Sequence, residues 1–553
     1  MFTRRALIEQ MSLAAGAVLP ASAMAQTTAP PPGRLAQDLP GISLPPGRHV
    51  VSSNLTVRAD IFVQPGATIE VAAGKTLTLL GDFQAPIGPL FSGPGKVDLN
   101  RSRASAAYPE WWGAGRDNST VDSLPALRAC VAAHPVTLLG AADYFIGSTW
   151  RIDIPHRRIW GAGKYWHGPN QGTRIIVTNG RQDVIQIGFD APPSGPNAFL
   201  QSVDIRWLEV GRSAAPADGG AAGICIRYVL NCIIEGISAA EHTVGFSIAG
   251  AVRSHIRDCQ AFRSIPGGSR FVGFHLDGRG DIGLAGGNAS IYLIDCNASI
   301  GGTPRLAESV GALLEGGFAD SFLALFETSG VATGIKVDGL APTINAHQAK
   351  AGHANLHLLM PVIDGFAGSG IEITNVSDHG MIDMVDPYVG AGAGAFAGIY
   401  LHNCKGMTTI TGGQVIGWVD ADTGGKALGI YGVDAEGIAV EGTKFLGFRR
   451  PFGFNRCHDL SLHPAINNPA QGALQGAVWL KDCRRGHIRP RIKGGRDAFP
   501  LGIHLRGSSA QLSIDCTSID EACIQGGAIN RFQADGTAPG VAPAGIMITG
   551  LDS

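Results

Sequence analysis

One short phrase returns eleven times between Gly223 and Leu505, and it limits what the chain can fold into. It reads GICIR at Gly223, GFSIA at Gly245, GFHLD at Gly273, GALLE at Gly311, GIKVD at Gly334 and GIEIT at Gly370. It continues as GIYLH at Gly398, GIYGV at Gly429, GFNRC at Gly453, AVWLK at Ala477 and GIHLR at Gly502. A glycine followed by alternating apolar and variable residues predicts a short strand with one buried face. The phrase recurs every 22 to 38 residues, about the length that one turn of a parallel β-helix requires. Each such turn buries its apolar side only against its neighbours, as in a solenoid. The predicted fold class is all-β: a single-stranded parallel β-helix running over residues 114–523.

A solenoid uses the 553 residues as one continuous core rather than several domains. The 78 glycines suit many strands joined by tight turns. Lys plus Arg number 43 against 45 Asp plus Glu. That balance leaves no global field to attract nucleic acid or an anionic membrane.

The first 25 residues read as a signal peptide. Arg4-Arg5 precede a short apolar run, and Ala23-Met24-Ala25 offers a small-x-small cleavage site. The paired arginines resemble a twin-arginine export signal, with a general secretory signal as the alternative. The expected location is the periplasm or outside the cell. No apolar stretch is long enough to span a bilayer as a helix. Residues 26–40 form a proline-rich linker.

Residues 41–113 alternate strongly and are punctuated at Pro65-Gly66 and Ala73-Gly74. They predict a small β unit, either the first coils of the solenoid or a separate module on its end. A capping helix is expected near residues 122–133, started by Asp122 or Ser123, with Leu124, Leu127, Cys130 and Val131 on its apolar side. Such a helix covers the raw apolar end that a solenoid otherwise exposes. Trp111 and Trp112, beside this junction, read as packing rather than as a sugar platform. Residues 524–553 lose the repeat and read as a tail with one possible final strand.

The ten cysteines lack zinc spacing. Cys259, Cys296, Cys404, Cys483 and Cys516 recur at one place in the repeat. They are expected as a buried stack of small apolar groups. Asp258, Asp295 and Asp515, each before such a cysteine, are repeat features.

PEWWGA, then the ALRACVAA helix, then strands running to RRIWGAGK resemble the start of bacterial proteins of the pectate-lyase superfamily. The likeness covers about Leu39 to Cys523. It implies a right-handed parallel β-helix and a carbohydrate-active enzyme: a polygalacturonase-related hydrolase, a polysaccharide lyase or a tailspike-like depolymerase. Relatives include trimers, so a homotrimer is a further expectation. The paired-Asp and Gly-His-Gly elements of polygalacturonases are absent from the sequence.

Side chains alternate across a strand. If the residue after each repeat glycine points inward, the second and fourth after it point outward. The second position carries His275, Lys336, Glu372, Tyr400 and Tyr431; the fourth carries Arg227, Asp277, Glu315, Asp338 and His402. Equivalent residues on successive coils stand about 4.8 Å apart. Asp277, Glu315 and Asp338 then form a stack of like charges, with Glu372 one column across. Such crowding favours one carboxyl keeping its proton, and glycosidic cleavage needs one protonated and one ionised carboxyl.

These four acids are the candidate catalytic residues, and Arg227, His275, Lys336, Tyr400, His402 and Tyr431 the candidate substrate-binding residues. The long intervals from Gly273 to Gly311 and from Gly334 to Gly370 predict loops that wall a cleft. The competing expectation is a solvated ladder in which Lys336 pairs with Glu372 and His275 with Asp277. A second group, Asp364, Asp383 and Asp386 with His353, His357 and His379, reads as turn formers.

No cofactor is expected. A lyase acting on a uronic-acid glycan is the alternative enzyme, with Lys336, His402 or Tyr400 as base and with calcium as a possible cofactor. A non-catalytic polysaccharide-binding solenoid is the third reading.

Overall fold

The computed structural model describes residues 41–550 except 165–171, 192–198, 215–220, 265–269, 279–287, 302–305, 340–352, 379, 393, 418–427, 449, 469–475 and 538–544. The expected signal peptide, linker and cleft-wall loops therefore lie wholly or largely outside the described residues.

Strands pair in parallel with the strand one coil later, so three continuous ladders run between Val136 and Thr549. Sheet A joins Trp150–Ile152, Ile185–Gly188 and every occurrence of the repeated phrase, ending at Phe532–Ala534. Sheet B follows each sheet A strand, and sheet C follows sheet B. On sheet A the residue after the phrase glycine is inward and buried on each coil: Phe274, Ala312, Ile335, Ile371, Ile399 and Ile430 are each 0% exposed. The expected alternation holds along the sheet. Stretch 524–553 contributes two more paired strands, Phe532–Ala534 and Met547–Thr549, on sheets A and B.

Residues 42–98 build a smaller β-helix of their own, with three parallel ladders of three strands and a separate core. Helix α1 (Leu124–Ala133) lies between the two cores. Leu127 and Val131 pack into the large core while Cys130 packs into the small one. Asp122 rather than Ser123 supplies the side-chain cap, accepting from the backbone N–H of Leu124 at 3.0 Å. Trp111 is 1% exposed, edge-on to Phe83 and Phe91, and its indole N–H donates to the Pro86 carbonyl. It is packing, as the sequence suggested. Glu110 of the same motif is buried and accepts from the Tyr144 hydroxyl at 2.6 Å.

The phrase glycines have a steric cause. A Cβ on Gly334 would lie 2.3 Å from Ile363 Cγ2 and 2.6 Å from the Gly370 carbonyl oxygen on the next coil. On the coils of Gly245, Gly273, Gly311, Gly370 and Gly398 a Cβ would likewise run into a sheet C side chain at 2.3–2.5 Å. The fifth position after the glycine turns the corner to sheet B with positive φ, at Asn375, Asn403 and Asp434.

All ten cysteines are buried and free. The single stack expected for them is two stacks. Cys259 and Cys296 sit at the corner between sheets B and C, whereas Cys404, Cys457 and Cys483 follow the corner between sheets A and B. Both corners need an αL residue, which is Asp258 or Asp295 at one and Asn403 or Asp482 at the other. The local sequences therefore look alike. Among the described residues no helix is long and apolar enough to cross a membrane.

Sheet C carries a buried carboxyl outside the predicted groups. Glu209 stands between Arg174 and Ser238 in register and is 6% exposed. Burial pushes its pKa to about 7 from an ordinary 4.5, against the pull of Arg174, with Asp143 and Glu241 adding to the rise. Because the folded value exceeds the unfolded one, this group's stabilisation is complete below about pH 4.5 and is lost as pH rises through 7. Glu209→Gln is expected to remove that dependence, which amounts to roughly 3 kcal/mol at most. Thermal melts of both proteins at acidic and alkaline pH check it; parallel pH profiles would refute it.

Candidate functional site

Six sheet A strands carry the predicted residues other than Arg227: β1 (Arg270–Gly278), β2 (Glu308–Gly316), β3 (Thr333–Asp338), β4 (Ser369–Thr374), β5 (Ala397–His402) and β6 (Leu428–Val433). Asp277 is the direct register partner of Glu315, and Glu315 of Asp338. In the adjacent column, Lys336 is the partner of Glu372, Glu372 of Tyr400 and Tyr400 of Tyr431. The two outward columns thus run as expected through these coils.

The pairing inside the columns differs in one respect. His275 bonds diagonally to Glu315, with Nε2 to Oε2 at 2.7 Å, instead of to Asp277 on its own strand. Lys336 and Glu372 do pair, at 2.8 Å. Asp338 accepts from the Asn375 side-chain amide at 2.9 Å, and Asn403 donates in turn to Asn375 at 3.0 Å. These corner asparagines anchor the Asp338 carboxyl. They are absent from the sequence-based set, although ITN and LHN repeat visibly at the fifth position after the glycine.

The side chains are recessed. Glu315 is 20% exposed, Glu372 19% and His275 13%. Leu313, outward between His275 and Lys336, is only 6% exposed. It packs with Cys225, Val244 and Val272 in a second apolar cluster on the outer surface of sheet A. The acids therefore border an apolar wall rather than a flat, solvated ladder.

Arg227 shares the acids' column but is separated from Asp277 by the coil of Ala249. Tyr400, His402 and Tyr431 come together on the other side. The Tyr400 and Tyr431 rings are 15° from parallel with centroids 6.0 Å apart, and Tyr400 lies 6° from the plane of His402. Exposed Phe396, not predicted, stands edge-on to both tyrosines. Burial raises both phenol pKa values, and the nearby Glu372 carboxylate raises that of Tyr400 further. Both shifts favour the neutral phenol over the phenolate.

Counting two and four residues on from Gly453 puts Asn455 and Cys457 in these columns, but the structure does not. Gly453, not Asn455, is the register partner of Tyr431, and Asn455, not Cys457, that of Val433. The second acidic group is dispersed. Asp383 on sheet B meets His357 at 3.6 Å and the Thr409 hydroxyl. Asp386 accepts the Gly413 N–H at a corner, and Asp364 is exposed on sheet C. His379 and the His353 side chain lie outside the described residues.

Calcium, implied for the lyase alternative, does not fit the acidic column. The Lys336 ammonium, the His275 ring and the Asn375 amide already engage three of the four carboxyls.

No protein-family model matches the sequence, and no curated protein does. Solved structures match along most of the chain. A tailspike protein double mutant of E. coli bacteriophage HK620 superposes with a TM-score of 0.53 at 12% identity, covering 78% of each chain. The chain has the right-handed parallel β-helix fold.

A mutant of that tailspike in complex with pentasaccharide matches this β-helix with a TM-score of 0.50 at 12% identity. Tailspike protein 3 of bacteriophage CBA120 gives 0.40 at 13% identity, and the β-helix spans 62% of that chain, less than two thirds. The Agl-KA catalytic domain gives 0.42 at 12% identity, covering 80% of this chain and 68% of that one.

Proposed function

We propose that this β-helix cleaves glycosidic bonds of an extended polysaccharide, using carboxyls among Asp277, Glu315, Asp338 and Glu372. The observation that carries the reading is the direct register of Asp277, Glu315 and Asp338 on consecutive coils, recessed beside an apolar wall. Folding gives no reason to stack three like charges, since like charges directly opposite destabilise a sheet. A shared fold with a tailspike that binds pentasaccharide supports the substrate class.

His275 Nε2 stands 2.7 Å from Glu315 Oε2, and we assign the ring as donor, which leaves that carboxyl as acceptor. Glu315 is therefore the base or nucleophile, and Asp277 or Asp338 the acid. Glu315 and either aspartate stand on neighbouring coils, about 5 Å apart, a separation that suits retention.

Purified protein incubated with acidic and neutral bacterial exopolysaccharides tests this. Shortened products without the ultraviolet absorbance of an unsaturated sugar are expected. Shortening with that absorbance would convict a lyase, and no shortening of any glycan would leave only binding.

Tyr431 and Trp479 stand on either side of Gly453 in the outward column. A Cβ there would touch both rings at 3.4 and 3.5 Å. Tyr431→Ala and Trp479→Ala are each expected to raise KM roughly tenfold with kcat little changed, the signature of binding made equally to substrate and transition state. A fall in kcat alone would contradict that role.

A further inference from the structure

The turn formed by residues 481–497 differs in charge from the rest of the molecule. It holds seven Lys and Arg against two Asp, in a chain of net charge −2. Three of these cations are matched: Arg485 by Asp459 at 2.8 Å, Arg489 by Asp515 at 3.2 Å, and Arg496 beside Asp497 at 3.9 Å. Lys481, Arg484, Arg491 and Lys493 are exposed and have no ion-pair partner among the described residues.

Their register neighbours do not compensate them. Arg484 lies between His458 and Ala510, Arg491 beside Ala465, and Lys493 beside Asn467. Lys481 stands directly opposite Arg506, a like charge whose own partner is Asp535. Like charges in register destabilise a sheet, so stability does not account for the arrangement.

The band also has a direction. Lys481 occupies the outward column that begins with Asp277, Glu315 and Asp338, and follows Trp479 by two residues on the same strand. Alternate positions on one strand face the same way. An aromatic ring and an ammonium that makes no direct ion pair among the described residues are thereby presented side by side, although Asp482 next along the chain feels the ammonium charge. That pair matches a hexuronate, which has an apolar C–H face and a carboxylate on one ring. Arg484, Arg491 and Lys493 carry the positive band onward around sheets B and C.

We infer that residues 481–493 form an anchoring site for an acidic, hexuronate-containing polysaccharide, several coils along from the stacked carboxylates. This rests on the polysaccharide reading above and names the charge class of the polymer.

The test is retention of the full chain on immobilised polygalacturonate and on its neutral methyl ester. Binding to polygalacturonate is expected at low salt. It is expected to be lost near 1 M salt, where the Debye length falls to about 3 Å, and to be absent on the ester. The triple variant Arg484→Gln, Arg491→Gln, Lys493→Gln is expected to bind at least about tenfold more weakly, as is Lys481→Gln combined with it. Melting temperatures confirm the fold, since all four side chains are exposed.

A variant with Asp277→Asn, Glu315→Gln and Asp338→Asn is expected to bind polygalacturonate at least as tightly as the unaltered chain. Absent or salt-insensitive binding, or binding unchanged in the triple variant, overturns the anchor. So does duplex DNA that outcompetes polygalacturonate, which would make the band a nucleic-acid surface. Cleavage of neutral glycans without retention on polygalacturonate removes the anchor and leaves the hydrolase. Charge-dependent retention without cleavage of any glycan does the reverse.

Discussion

Glu315→Gln is expected to lower glycan cleavage by about 10²–10⁴-fold, the range that a positioned acid or base contributes. The amide keeps the size of the side chain and still bonds to His275, so the loss isolates the ionisable group. Asp277→Asn and Asp338→Asn test which neighbour is the acid, and one of them should match the Glu315 loss. Glu372→Gln should cost less than about tenfold, because Lys336 already holds that carboxylate at 2.8 Å. Combining the two damaging substitutions should cost little more than either alone, as for residues that act as a unit.

Stability supplies the control. Removing one charge from a stack of three relieves repulsion, so an unchanged or raised melting temperature should accompany the loss of activity. Reducing-end assays and thermal melts of the four variants decide the matter. If Glu315→Gln retains more than about a tenth of the activity, or if every variant loses activity only as it loses stability, the carboxylates are not catalytic.

Strand parity explains why the columns are legible in the sequence. The alternation along each phrase sets which side chains point outward, and the glycine sets where each count starts. The error at Gly453 shows both the tolerance and the limit. On that coil Pro451, not Gly453, takes the place of the phrase glycine, as its carbonyl packs against Gly429 where other coils place a glycine. A slip of two residues preserves inward and outward sides, so the coil still fits the pattern; only the identities in the columns change.

Diagonal contacts are not legible in this way. His275 stands opposite Leu313 and diagonal to Glu315. Diagonal neighbours are about 7–8 Å apart, within reach of long side chains, and the glutamate, one methylene longer than Asp277, spans that gap to the ring. Burial of the outward residues Cys225 and Leu313 is hidden for another reason. It depends on what packs over a sheet, which alternation within the sheet does not encode. The two cysteine stacks merge in the sequence because both corners use the same short signal, an αL Asp or Asn before a small buried residue.

Gly334→Val is expected to have the largest effect on the fold, with loss of more than about 4 kcal/mol or no soluble protein. The Cβ alone would stand 2.3 Å from Ile363 Cγ2 and 2.6 Å from the Gly370 carbonyl. The second contact is with backbone held in the sheet, so no rotamer change relieves it. Gly311 repeats the geometry, with its Cβ 2.3 Å from Thr328 Cγ2 and 2.6 Å from the Gly334 carbonyl. Gly334→Ala should already cost about 1–3 kcal/mol, the range for overpacking a well-filled core.

Gly453→Ala is the matched contrast. It places the same atom in ordinary contact, at 3.4 Å from Tyr431 and 3.5 Å from Trp479, on an outward position. It should cost less than Gly334→Ala, because the added atom meets only two ring edges at contact distance and no backbone held in the sheet. Because each coil rests on its neighbours, strain at Gly334 also displaces β3, which carries Asp338 four residues on. Gly334→Ala should therefore lose activity at temperatures where most of the protein remains folded. Circular dichroism melts beside activity at each temperature separate the two effects, and a Gly334→Val protein that melts with the unaltered chain would mean that the coils are threaded differently.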